Sequence, residues 1–339
     1  MKSKKKRNIS DTNLLLTITI VVFFAMYIGA MIFQGGGFLK TQTFFNILNA
    51  NAALLITSCG LSLVMITGGI DISVGGVVAL VSMSCGVYLD YMGGNVAMSI
   101  LIALGIGLAF GLVQGFLVAY LDIQPFIVTL AGMFFARGMT TIVHTDPFNV
   151  QNKAFVALKD TRVIVPGMGS VNRIGKYVDA YVEIGVIVAL LIVVLMFVML
   201  RWSKLGRAFY AVGGNKQSAL MLGINVKRTR FLAQLFSGVL AGIAGYVYFL
   251  HVGSGSASHA TGMEMNAIAS SIIGGTLLTG GVGNVIGSLF GVLINGTISA
   301  LVKANGKLIS SWANIVTAIL LCFFIILQSI FAKIKESKK

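Results

Sequence analysis

Apolar runs of about twenty residues recur along this chain, joined by short polar or basic connections. Such runs can be hidden only in a bilayer, whose hydrocarbon core takes roughly 20 apolar residues as helix. On that rule spans are expected near 14–33, 47–67, 74–92, 96–120, 124–144, 180–200, 230–251, 265–282, 284–302 and 312–331. Composition agrees: of 339 residues, 57% are hydrophobic and 10% charged, against about 25% charged in soluble domains. The expected fold is an all-α polytopic membrane protein of about ten transmembrane helices. The first run is too long for a secretory signal and no A-x-A-like site follows it, so it reads as an uncleaved span.

The net charge of +15 would suit nucleic acid, but its distribution does not. Basic residues cluster at Lys2, Lys4, Lys5, Lys6 and Arg7, again from Arg201 to Arg230 with no acid, and again at Lys333, Lys335, Lys338 and Lys339. Each cluster abuts an apolar run, which is the positive-inside pattern. An even number of spans puts both termini on one side. The expected topology has cytosolic basic tails at 1–13 and 332–339, a cytosolic loop at 201–229 and an external loop at 145–179. The external loop carries Lys153, Lys159, Arg162, Arg173 and Lys176, partly offset by Asp146, Asp160 and Asp179, and reads as a short ordered segment of one transmembrane domain, 1–339. Ten spans divide into five and five, and an odd number per half inverts one half relative to the other, as in many transporters. A faint echo between GGIDISVGGVVAL at 68–80 and GGTLLTGGVGNVIG at 274–287 fits such a repeat with broken helices.

No G-x-x-x-x-G-K-[ST] phosphate loop is present; GGNKQS at 213–218 and ANGKLIS at 304–310 both fail the pattern. His144, His251 and His259 have no metal-ligand spacing with carboxylates, and Cys59, Cys85 and Cys322 lie inside apolar runs as small hydrophobes. Three features stand out. In SLVMITGGIDISVGG at 62–76, Asp71 sits among Gly68, Gly69, Gly75 and Gly76. A charge at membrane depth faces a cavity or a partner, so Asp71 either lines a passage at a helix break or, with Ser73, caps the third span. Both readings stay open. In the 205–230 loop, Ala219, Leu220, Met221, Leu222 and Ile224 would be apolar side chains exposed to cytosol, and such a patch marks a protein contact. In 263–298, Gly283, Gly287 and Gly291 form overlapping G-x-x-x-G units for close helix approach, and Glu264 and Asn266 cap a span or meet solute. Asp71, Arg137 and Glu264 are the ionisable candidates within spans. They lack the evident pairing of an ion-coupled secondary transporter, and no clustered His, Asp or Glu supports a membrane enzyme.

Together these motifs resemble the permease subunits of bacterial ABC importers for monosaccharides, of the ribose, xylose and galactose type. The stretches carrying the resemblance are TGGIDISVGG at 67–76, GRAFYAVGGNKQSALMLGI at 206–224 and AIASSIIGGTLLTGGVG at 267–283. PFIVTLAGMFFARG at 125–138 and SSWANIVTAILLCFFIILQ at 310–328 are similar to the second permease of galactofuranose importers. Ser218 and Ile72 depart from the alanine and leucine usual in the family. The resemblance implies a pore-forming subunit of the cytoplasmic (inner) membrane, not an enzyme and without a cofactor of its own. ATP and magnesium would belong to a cytosolic ATPase. It also implies a second homologous permease, or a second copy, and an extracytoplasmic sugar-binding protein. The ATPase-docking candidates are Gly206, Arg207, Gly213, Gly214, Asn215, Ala219, Gly223 and Ile224. Candidates for the passage, whose amides and hydroxyls suit a neutral sugar, are Asn49, Asn51, Gly69, Asp71, Ser73, Gln114, Asn266 and Asn295. A permease for a nucleoside or an amino acid remains the alternative.

Overall fold

The computed structural model describes residues 11–171, 177–306, 309 and 311–336. The basic residues Lys2 to Arg7, Arg173, Lys176, Lys338 and Lys339 lie outside them. A helix lies within every expected span: α1 Asp11–Gln34, α2 Thr41–Ile66, α3 Val74–Asp90, α4 Val96–Ala119 and α5 Pro125–Val143, then, after the short strand β1 at Phe148–Asn149 and a short α6 at Lys153–Lys159, α7 Ile184–Trp202, α8 Lys204–Gly214, α9 Lys216–Met221, α10 Val226–Val252, α11 Met263–Ile273, α12 Val285–Asn305 and α13 Ser311–Glu336. Local chemistry sets the ends. Asn95 caps α4 by accepting from Met98 N at 2.8 Å, Pro125 opens α5, and left-handed Gly253 closes α10.

Among the described residues, eight helices are long and apolar enough to cross a membrane: α1, α2, α4, α5, α7, α10, α12 and α13. The other two expected spans are shorter. α3 has 17 residues. The span expected at 265–282 is an 11-residue helix, about 16 Å long, because Gly274 and Gly275 end it and the chain turns through 276–284 before α12. The start of the span expected at 180–200 is also different: Tyr177–Glu183 is strand β3, hydrogen-bonded to strand β2 at Arg162–Val171, with a register shift between Val165 and Ser170. Alternating Tyr177, Asp179 and Tyr181 give this segment a strand pattern that its apolar content concealed.

The two halves pack by one scheme. α10 lies against α3 and α4, and α2 lies against α11 and α12; α3 touches α5 as α11 touches α13. α2, α10 and α12 bury most of their length, whereas α1, α4, α5, α7 and α13 fully bury no more than a third of theirs. Since those exposed surfaces are apolar, they face lipid or another subunit. α4 approaches α10 closely along its glycine face. Cβ atoms built on Gly107 and Gly238 would lie 2.5 Å from Gly238 O and from Gly111 Cα, so the backbones touch with no side chain between. Loops 67–73, 120–124, 203–225 and 274–284 gather at one end, and the β2–β3 hairpin, α6 and the 253–262 turn at the other.

Candidate functional site

The broken segment between α2 and α3 is built around Asp71. Thr67, Gly68 and Gly69 donate back to carbonyls of 63–65 to finish α2, with Gly68 at φ +83°, and the chain then runs inward to Ser73. Asp71 is 1% exposed. An unpaired carboxylate so placed would be very costly. Here its oxygens accept from Ser73 N at 3.0 Å, Ser73 Oγ at 2.6 Å and Ser237 Oγ of α10 at 2.7 Å. Ser73 Oγ also lies 3.1 Å from Gln114 Oε1 of α4, which accepts from Gln234 Nε2 of α10 at 3.1 Å. Asp71, Ser73 and Gln114 thus meet in one buried knot joining the start of α3 to α4 and α10. Gly69 lies at its edge, against Val64 and Pro125. Asp71 meets no solvent in this conformation; it fixes the segment in place.

The asparagines do not join this knot or one another. Asn49 accepts from Glu183 N at 3.0 Å at the hairpin end. Asn51 donates to Ile47 O of its own helix and faces Gly296. Asn295 accepts from Thr317 Oγ1 of α13 at 3.1 Å. Asn266 is half-buried on α11. Each of the first three joins backbone or helix to helix, the ordinary use of an amide among packed spans. Arg137 donates to the Ala257, His259 and Ala260 carbonyls of the 253–262 turn, so its charge is met by backbone.

The second break, 274–284, and the α11 end before it are tied by side chains of α1 and α13 and by the backbone at the end of α2. Thr19 Oγ1 of α1 donates to Ile273 O at 2.6 Å, and Gln328 Nε2 of α13 to Ile272 O at 2.9 Å. These are end carbonyls of α11 left without a full helical partner, although Ile272 O also accepts from Gly275 N at 2.9 Å. The α2 end carbonyl of Ile66 accepts from Gly281 N at 2.8 Å. Ser62, Ser271 and Ser288 join α2, α11 and α12, at 3.1 and 2.8 Å from the Ser62 hydroxyl. Irregular backbone at membrane depth survives only with such cover.

The α8–α9 loop is held by side-chain caps. Ser203 accepts from Gly206 N, Asn215 from Ser218 N and Asn225 from Arg228 N. Gly206 packs on the Met199 and Leu200 backbone, and Gly213 on Ile66 O and Gly281 N; Gly214 and Gly223 have open space, the latter at φ +76°. Arg207 reaches Trp202 O at 3.4 Å. Ala219 departs from expectation: it is 1% exposed, packed with Val212 and Val226, and Ile224 is half-buried against the same cluster. α9 is too short for the sequence to show which face turns inward. The exposed apolar set is Leu220 at 54%, Met221 at 89% and Leu222 at 77%. Beside it lies a cleft of about 600 Å3 lined by Leu220, Lys216, Lys227, Arg230 and Asp122. Asp122, at φ +53°, pairs with Arg230 at 2.6 Å and Lys216 at 3.6 Å, and Arg230 first, then Lys216, holds its carboxyl below the usual carboxylate range.

The model of the family described as "Branched-chain amino acid transport system / permease component" matches residues 43–325, which include both breaks and the α8–α9 loop. The chain belongs to that permease family. The permease is 39% identical over 93% of its length to the inner membrane ABC transporter permease protein YjfF of Escherichia coli strain K12, covering 92% of that protein. It is 34% identical over 100% of its length to the fructose import permease protein FruG of Bifidobacterium longum, covering 98% of it. Over 77% of its length it is 33% identical to the ribose import permease protein RbsC of Escherichia coli strain K12, covering 78% of it. No solved structure matches.

Sequence reasoning missed several of the permease's working residues. Ser237, Gln234, Thr19 and Gln328 are single polar residues in apolar runs, and only the fold shows what each one reaches. The spacing of Gly107, Gly111 and Gly115 did carry a signal, a double G-x-x-x-G on one helix face, which meets Leu235, Gly238 and Gly242 of α10.

Proposed function

We propose that this permease is the membrane subunit of an ATP-driven importer for a neutral monosaccharide. The observation that carries the reading is full-length similarity to proteins named for fructose import, joined by ribose and xylose permeases among its relatives. The family's description names branched-chain amino acids instead; the fructose import permease that aligns over the whole chain favours sugar. A furanose-form hexose such as galactofuranose is the preferred substrate within that class. The termini and the α8–α9 loop face the cytosol of a bacterial inner membrane, since the loop is basic and acid-free from 201 to 230. The exposed Leu220, Met221 and Leu222 seat a cytosolic ATPase, which supplies ATP and magnesium. A second permease covers part of the exposed apolar helix surface, and a sugar-binding protein delivers substrate at the hairpin end. Asp71 and Ser73 hold the first break against α4 and α10 while the passage between the two permeases opens and closes. Uptake of radiolabelled monosaccharides by cells carrying the whole transporter, with and without this chain, is the test. Sugar uptake that depends on the chain is expected; dependence of leucine or isoleucine uptake, with sugar uptake unchanged, overturns the reading.

A further inference from the structure

Three glycine-rich turns from distant parts of the chain meet at the loop end of the bundle. Gly213 and Gly214 end α8, Gly68 follows α2, and Gly280 and Gly281 lie in the α11–α12 break. A Cβ on Gly213 would lie 1.7 Å from Ile66 O and 2.6 Å from Gly281 N, and one on Gly281 would lie 2.7 Å from Gly214 Cα. A Cβ on Gly280 would lie 2.9 Å from both Gly213 O and Gly68 N. Backbone therefore bears on backbone, with no flexible side chain to absorb a displacement. One side chain completes the contact: Tyr210 Oη of α8 donates to Gly283 O at 2.9 Å. Gly283 directly precedes Asn284, whose side chain caps α12 by accepting from Ile286 N at 2.9 Å. The break is itself a closed loop, since Leu277 N donates to Val282 O at 3.0 Å, so it moves as one piece.

We propose that α8 is the lever that sets the position of the α11–α12 break, and that Tyr210 is the positioning residue that couples them. The proposal rests on the docking of an ATPase at α9 and goes beyond it, by naming the membrane element that receives the motion. A shift of α9 carries α8, which precedes it with Asn215 alone between them. α8 then acts on the break in two ways. Gly213 and Gly214 push on Gly280 and Gly281, and the Tyr210 hydrogen bond pulls on Gly283 and so on the first turn of α12. A steric seat only pushes; the hydroxyl is what lets the return stroke pull.

Tyr210→Phe tests this in the assembled transporter, because it keeps the ring and removes the donor. The ATPase should co-purify at its normal ratio and hydrolyse ATP at its normal rate. Sugar moved per ATP should fall about fivefold, the factor one lost hydrogen bond carries. A second readout follows the break directly. A single cysteine at Leu278, which is 39% exposed, should react with a maleimide at a rate that changes when ATP is added, and Tyr210→Phe should abolish the change. Unaltered transport per ATP together with an unaltered Leu278→Cys response overturns the lever. Loss of the ATPase from the Tyr210→Phe complex also overturns it, since Tyr210 would then serve docking. If Met221→Asp and Leu222→Asp leave the ATPase complement intact, the docking reading fails instead, and the two failures are told apart.

Discussion

Placing one methyl group at the α4–α10 crossing probes the contact on which the Asp71 knot depends. In Gly107→Ala the new Cβ lies 2.5 Å from Gly238 O, 2.8 Å from Gly242 Cα and 2.9 Å from Gly242 N. All three are backbone atoms, so no rotamer change relieves the overlap. Reaching ordinary contact needs the helices to separate by about 1 Å. Gln234 of α10 donates to Gln114 of α4 at 3.1 Å, beside the Asp71 carboxylate. A separation of about 1 Å takes that bond past hydrogen-bonding distance. Overpacking costs about 1–3 kcal/mol, and losing one neutral hydrogen bond costs about 0.5–1.5 kcal/mol. The expected loss is therefore roughly 1.5–4.5 kcal/mol. Gly105→Ala is the control, because it stands on the same helix with nothing within 4 Å of its Cβ. The assay is thermal unfolding of the detergent-purified protein, followed by size-exclusion of what remains soluble. Gly107→Ala should melt well below both Gly105→Ala and the parent. Equal melting of the two variants would refute the reasoning, since the steric contact would then carry no energy.

Asp71→Ala should leave up to three donors without their acceptor and cost several kcal/mol, whereas Asp71→Asn keeps one acceptor oxygen and should be milder; yield of folded protein after detergent extraction ranks them. At the α9 loop, Ala219→Arg forces a charge into the Val212–Val226 cluster and should unfold α9, read as faster amide exchange over 216–224, while Met221→Asp should leave exchange unchanged and weaken ATPase co-purification. The Asp122 carboxyl is depressed by Arg230 and Lys216, so the tie between α9 and α10 is complete above the normal carboxylate range and is lost as pH falls through the lowered value. Amide protection of α9 should therefore not vary between pH 5 and 8, and should decline only in stronger acid. A cysteine at Lys216 should react with an impermeant maleimide only after cells are permeabilised; labelling of intact cells would invert the topology.

Spans were legible in the sequence because twenty apolar residues have few other fates, and nine of the ten expected runs were close in length to the helices found. The eighth was not. Residues 265–282 carry no charge and are largely apolar or small, and hydropathy cannot distinguish a spanning helix from a short helix followed by a buried turn. What separates them is the positive φ of Gly275, Gly280 and Gly281 and the carbonyl cover from Thr19 and Gln328, which depends on helices far away in the chain. The glycine pair flanking Asp71 did announce a break. That its carboxylate would serve as an anchor inside the protein required knowing that Ser237 arrives from α10. On α9, composition pointed to an exposed apolar face, but a six-residue helix has too little period to say that Ala219 turns inward and Met221 outward.

The cover of the second break also has a consequence for how the protein is made. Gln328 lies 56 residues downstream of the Ile272 carbonyl that it satisfies. While α11 and α12 enter the membrane, that oxygen has one donor, Gly275 N at 2.9 Å, and the Ile273 carbonyl already has Thr19 of α1. The half-helix thus enters the bilayer with its first fastenings made and one still to come. Arrival of α13 brings the second donor to the Ile272 oxygen, a late stitch in a seam laid down much earlier. A nascent chain halted before residue 328 carries the break with its Thr19 and Gly281 ties and lacks the Gln328 tie.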